Sequence, residues 1–294
     1  MSTSGRAEAQ RAVQRARHAA SQARLAAATR SQREAMVREM FARPVRDCAH
    51  RRTGRPVRVL RAGSQASLDE LGLSQLRDLG YEITVVTVDQ AGPWAGTAVP
   101  AAAGDVMIGD LRAVPVPPRS FDIVHCALLL DRIRHVELVL DRFTAALRPG
   151  GFLLLRIRDR DCAIGLLDRR LPRPARRLLR TRLYPAGPAG PAGPAAPAAG
   201  WCAADWYGPF SPFSAVYEKA ASDRGIQAYA RMRGLAITQR ETARTWPRGP
   251  DRLSRAVTAA CRVICRLTRG RLTDAHDEVL YVIRKPEDRF ARVV

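Results

Sequence analysis

From residue 56 to the end of the chain, short apolar runs alternate with stretches whose apolar residues recur every three or four positions. The runs are rich in Val, Ile and Leu: VRVL at 57–60, YEITVVTVD at 81–89, DVMIGDL at 105–111, FDIVHCALLL at 121–130 and FLLLRIR at 152–158. Between them, Leu68, Leu71, Leu76 and Leu79 keep a helical rhythm ended by Gly80, and Val136, Leu140, Phe143 and Leu147 do so over 134–147. Continuous apolar strands separated by amphipathic helices indicate a parallel sheet covered on both faces, because parallel strands need crossover connections. Residues 159–182 read as an arginine-rich helix, and 213–234 as a helix that Gly225 interrupts. An alternating strand at 235–245, a helix at 250–269 opened by Asp251, and a strand at 277–286 bounded by Pro286 complete the series.

The first 54 residues read differently. Residues 5–42 form one helical pattern, with no Gly or Pro between Arg6 and Ala42. Its stripe is mostly alanine until Met36, Val37, Met40 and Phe41, whose apolar bulk predicts docking on the main domain. Pro44 is expected to stop the helix and Arg43–Arg55 to act as a basic linker. This divides the chain into a basic Ala/Arg-rich arm and linker, 1–54, and a main domain, 55–290. The stretch YPAGPAGPAGPAAPAAG at 184–200 offers no core side chains and predicts a disordered insertion in that domain.

Composition tempers one inference and removes others. The net charge of +21 suggests a polyanion partner, yet all but two of the 49 basic residues, Lys219 and Lys285, are arginine. An arginine and alanine surplus of this kind matches a GC-rich codon bias, which weakens the charge as a functional signal. The six cysteines (Cys48, Cys126, Cys162, Cys202, Cys261, Cys265) contain no C-x-x-C pair and predict buried free thiols, with no metal site. No charge-free apolar run of about 18 residues predicts a membrane span. An apolar signal core is also missing near the N-terminus, so a cytoplasmic location is expected.

The segment FDIVHCALLLDRI…LDRFTAALRPGGFLLLRIRD, 121–159, carries a specific pattern. An F-D-x-V strand, a loop, a helix ending in L-x-P-G-G and a further strand follow one another. In this the chain resembles the class I S-adenosylmethionine-dependent methyltransferases over roughly residues 55–290. The resemblance implies a Rossmann-like α/β fold: a seven-stranded methyltransferase sheet, mostly parallel with an antiparallel C-terminal strand, and helices on both faces. It implies S-adenosylmethionine as cofactor. Its glycine-rich first motif falls on Leu60–Ser67, keeping Gly63 but placing Arg61, Gln65 and Ser67 where the family has an acid and two glycines. The family's ribose-binding acid falls on Asp89, its adenine-side positions on Asp110 and Leu111, and its sulfonium-flanking positions on Cys126 and Ala127. No catalytic residue is singled out. His125, in an apolar strand, reads as a core histidine rather than a base.

The resulting expectation is methyl transfer to a small-molecule acceptor, which the fourth-strand loop and the aromatic-rich segment 201–217 would meet. Two alternatives stand beside it. One is a catalytically inactive methyltransferase-fold binding or regulatory protein, supported by the altered first motif. The other is a nucleic-acid methyltransferase using the arginine-rich segments 5–55 and 156–182. A nicotinamide dehydrogenase would need G-x-G-x-x-G after the first strand, where Gly63 stands alone.

Overall fold

A computed structural model describes residues 32–51, 55–62, 71–90, 105–109, 111–172, 218–244 and 252–287. These contain helix α1 (32–51), strand β1 (Val57–Ala62), helix α2 (Leu73–Asp78), strands β2 (Ile83–Gln90), β3 (Asp105–Gly109) and β4 (Phe121–Ala127), and helix α3 (Val136–Ala146). Strand β5 (Leu147–Arg158), helices α4 (Ala163–Arg170) and α5 (Asp223–Met232), strand β6 (Ala236–Ala243), helix α6 (Arg252–Leu267) and strand β7 (Glu278–Arg284) follow.

The strands form one seven-stranded sheet in the order β3-β2-β1-β4-β5-β7-β6. β1 to β5 are mutually parallel, and β7 runs antiparallel to both β5 and β6. This is the sheet that the resemblance implied. One face packs under α1 and α2, through Val37, Met40, Phe41 and Leu73 against Val59, Ile123 and Leu154. The other packs under α3 and α5, through Val139, Phe143, Ile226 and Tyr229 against Leu60, Val124 and Leu155.

The F-D-x-V and P-G-G motifs acquire structural reasons. Asp122, almost fully buried, accepts from the backbone N–H of Arg58 at 3.0 Å and from Arg148 Nη1 at 3.1 and 3.2 Å, tying β1, β4 and β5 together. Gly150 sits at φ +75°, where a side chain is strained. A Cβ on Gly151 would lie 2.8 Å from the Asp122 carbonyl oxygen, so only glycine lets β5 approach β4 there.

Several sequence expectations need correction. Pro44 does not end the first helix: α1 continues to residue 51, and Val45, Cys48 and Ala49 bury against the sheet. An interior proline costs a helix about 3 kcal/mol, and burial of the following apolar turn offsets it. The basic linker therefore shrinks to the few residues before β1. Gly225 does not interrupt α5. It lies in the first turn, where its N–H bonds Ser222 Oγ, and a Cβ there would meet the Lys219 carbonyl oxygen at 2.2 Å. Leu79 is exposed, and Leu73 takes its place in the core. β5 begins at Leu147, five residues early, because Leu147 already pairs with Phe121, and the P-G-G residues lie in the irregularity before Ile123 pairs with Phe152. β4 ends at Ala127, and a 3-10 turn at Leu130–Arg132, rather than a helix, follows it.

The insertion 184–200, the aromatic-rich segment 201–217 and the first 31 residues lie outside the described residues.

Candidate functional site at the carboxyl ends of the strands

In an open α/β sheet, ligands bind outside the carboxyl ends of the strands where the order of connection reverses. Here the reversal lies between β1 and β4: the chain runs from β1 outward through β2 to β3, then returns to β4 and proceeds through β5. Ala62 and Cys126 are paired at the adjacent carboxyl ends of β1 and β4. Both side chains are small and fully buried. Beyond β4 the chain turns sharply. Leu128, not a glycine, takes φ 50°, and its N–H is held by the Arg156 carbonyl at 2.7 Å. Left-handed backbone at a non-glycine residue is costly and concentrates at functional sites.

Asp89 lies near the carboxyl end of β2, with its backbone in register with Ile108 of β3. Gly63 and Asp110, and with them Gln65 and Ser67, lie outside the described residues. Leu111 and Cys126 are buried within the apolar cluster that contains Leu60, Ala62 and Leu129. Burial, followed by the negative charge of Asp131, pushes the Cys126 thiol well above its usual range, which makes it an inert packing group. Ala127 closes β4 and is also nearly buried.

Sequence reasoning missed a polar group on the sheet face beneath α1. Arg61 points into that face and is only 6% exposed. It is the direct cross-strand neighbour of His125, which is fully buried and meets the Phe41 ring edge-on at 5.4 Å. On β5, Arg156 pairs through Nε with buried Glu278 of β7. Burial first, then the positive charges of Arg61 and Arg156, push the His125 imidazole down to about 3. His125 is thus a neutral core residue at physiological pH and a poor base. The signal for this group was the placing of Arg61, His125, Arg156 and Glu278 on one side of strands that otherwise read apolar.

That depressed value has a consequence for stability. The unfolded chain takes up a proton on His125 near pH 6.5 and the folded chain does not until about pH 3. The unfolded state therefore binds more protons in this window, and stability falls as pH drops through it. We expect a loss of about 1.4 kcal/mol per pH unit below 6.5 from this residue. Denaturant unfolding of the wild type and His125→Phe between about pH 7 and about pH 4.5 isolates it. Equal pH slopes for the two proteins would refute the burial of a neutral histidine.

A second network lies at the end of β5. Asp223 at the start of α5 accepts from Arg240 Nε and Nη2 at 2.8 and 2.9 Å, and from the Tyr281 hydroxyl. Burial alone would raise its carboxyl, but these donors and Gln227 together hold it below the ordinary carboxylate range. The Asp159 carboxylate accepts from the N–H groups of Asp161 and Asp223 at 3.0 and 3.1 Å. Glu218 reaches across to the N-terminus of α3, accepting from the N–H groups of His135 and Val136 at 2.8 and 3.1 Å. These contacts fix α3 and α5 relative to the sheet. Among the described residues no group of His, Cys, Asp or Glu is arranged to hold a metal ion.

Residues 67–155, from the loop after β1 through the core of β5, match a known family described as "Methyltransferase domain". The match spans 89 of the 294 residues, and the strand order is that of the class I S-adenosylmethionine-dependent methyltransferase fold. S-adenosylmethionine is the cofactor of this family. No curated protein matches the sequence. Among solved structures, a loganic acid methyltransferase with S-adenosylhomocysteine is 9% identical, with 88% of this chain and 96% of that one covered at a TM-score of 0.49. A methyltransferase from Archaeoglobus fulgidus is 11% identical, covering 84% and 94% at 0.43. The [4+2]-cyclase SpnF is 14% identical, covering 84% and 81% at 0.43. These are distant likenesses; the assignment rests on the family match and the strand order.

The methyltransferase fold accounts for the reversal of strand order between β1 and β4 and for an acid near the end of β2. Arg61 departs from it: the family's acid is replaced by a cation that the sheet holds beneath α1.

Proposed function

We propose that the chain transfers a methyl group from S-adenosylmethionine to a small-molecule acceptor. The observation that carries this reading is the reversal of strand order between β1 and β4, with Asp89 near the end of β2. The bound cofactor supplies a methyl group activated by its sulfonium. Asp89 accepts from the ribose hydroxyls, Gly63 lets the loop after β1 approach the methionine part, and Asp110 with Leu111 borders the adenine. Cys126 and Ala127 contribute backbone and small side chains beside the sulfonium. The Leu128–Asp131 turn, held to β5, meets the acceptor and keeps water from the transferring group.

Calorimetry with S-adenosylmethionine and S-adenosylhomocysteine tests this. Asp89→Ala removes a charged acceptor and should weaken binding by roughly ten- to a hundredfold. Wild-type protein that binds neither compound at millimolar concentration would remove the enzyme reading.

Arg61 favours a second reading, a methyltransferase-fold module that binds without turnover. A cation beside the site opposes a sulfonium but not the neutral thioether of the demethylated product. On this reading the wild type binds S-adenosylhomocysteine at least about tenfold more tightly than S-adenosylmethionine, and Arg61→Asp narrows the ratio. Equal affinities in the wild type would discard it.

A further inference from the structure

Several arginines of this protein are neutralised by a neighbouring carboxylate. Arg148 pairs with Asp122, Arg233 with Asp141 at 2.6 Å, Arg240 with Asp223 and Arg284 with Glu287 at 2.6 Å. Helix α6 and its exit concentrate arginines in one acid-free segment. Arg252, Arg255, Arg262, Arg266, Arg269 and Arg271 fall within twenty positions that contain no acid. All six are exposed, and none is ion-paired with a described carboxylate. A codon bias toward arginine explains their number but not this segregation.

The helix uses its other side for the fold. Val257 and Cys261 bury against Cys162, Ala163 and Ile164 of the α4 segment, with Ile264 packed alongside. The outward side carries two adjoining rows. Arg255, Arg262 and Arg266 form one, at spacings of seven and four. Ala259, Val263 and Leu267 form the other, at spacings of four. Val263 is 52% exposed and Leu267 is 78% exposed. A phosphodiester backbone would engage the arginines and leave these branched side chains in water. A second copy of the chain would set like charges against each other across a two-fold contact. An anionic bilayer surface engages both rows: headgroups meet the guanidinium groups, and the apolar side chains enter the boundary beneath them.

We infer that α6 is a docking surface for anionic phospholipid membranes, on which the protein lies without crossing. No helix among the described residues is long and apolar enough to span a bilayer. The contact is peripheral and salt-sensitive.

Sedimentation of the full-length protein with vesicles tests this. Vesicles of phosphatidylcholine containing about a third phosphatidylglycerol should carry the protein down, and pure phosphatidylcholine should not. Arg262→Gln with Arg266→Gln should weaken the partition about thirtyfold. Val263→Ser with Leu267→Ser should weaken it at least about tenfold. All four positions are exposed, so thermal unfolding should be unchanged, and a lowered melting temperature would be read separately. A single-stranded RNA titration runs in parallel. Failure to sediment with anionic vesicles overturns the inference. So does partition unchanged in both variants, which would place the contact elsewhere. RNA binding tighter than vesicle binding and insensitive to the serine variant would assign the surface to nucleic acid instead.

Discussion

Glu278→Ala should destabilise the protein by about 3–5 kcal/mol, the largest effect expected of any single polar substitution here. Glu278 is 1% exposed and pairs with Arg156, itself 8% exposed, across the antiparallel β5–β7 pair. Removing the carboxylate leaves a guanidinium buried without that partner, beside His125 and on the sheet face that also holds Arg61. The penalty is desolvation of a charge rather than loss of a contact. The double substitution Arg156→Met with Glu278→Leu should therefore recover most of the loss, because an apolar pair of similar volume has no charge to desolvate. Equilibrium unfolding in urea measures both. A single variant costing under about 1 kcal/mol would show that Arg156 does not depend on Glu278.

Phe41→Ala should cost a similar amount, about 3–5 kcal/mol, although it lies in the segment that reads as an N-terminal arm. Its ring is fully buried, touches His125 and joins Val37, Met40 and Val45 against Val59, Ile123 and Leu154. Truncation opens a cavity over the sheet and lets water reach the His125 imidazole. Loss of stability should thus be accompanied by a rise of the His125 pKa toward its ordinary value, followed by NMR titration. If Phe41→Ala unfolds at the wild-type urea midpoint, α1 is an appendage and not part of the core.

Most of the architecture was legible because it follows from local periodicity. Runs such as FDIV and FLLLRIR are too apolar to face water on either side, and amphipathic stretches between them can only be crossover helices. That arithmetic specifies parallel strands covered on both faces, and the L-R-P-G-G turn specifies a tight return from α3 into β5. It also places Asp89 near the end of β2.

What the local pattern lacked was knowledge of partners. Pro44 stops a helix in isolation, yet α1 runs on because Val45, Cys48 and Ala49 find the sheet, and their burial outweighs one missing hydrogen bond. Gly225 reads as a break, but it is the only residue small enough to lie against the Lys219 carbonyl. Leu79 fits the apolar rhythm and faces solvent, since the rhythm does not say where the helix meets the sheet.

The candidate site divides in the same way. Sequence alone determined which residues stand at strand ends, because strand order of appearance and the matched motif fix that. Only the tertiary structure decided what Arg61, His125, Arg156 and Glu278 do. They come from four strands, the first and last of them 217 positions apart (278 − 61), and their charges matter through burial and mutual distance. Those are properties of the assembled sheet, in which a low-dielectric interior turns four unremarkable side chains into an interacting group.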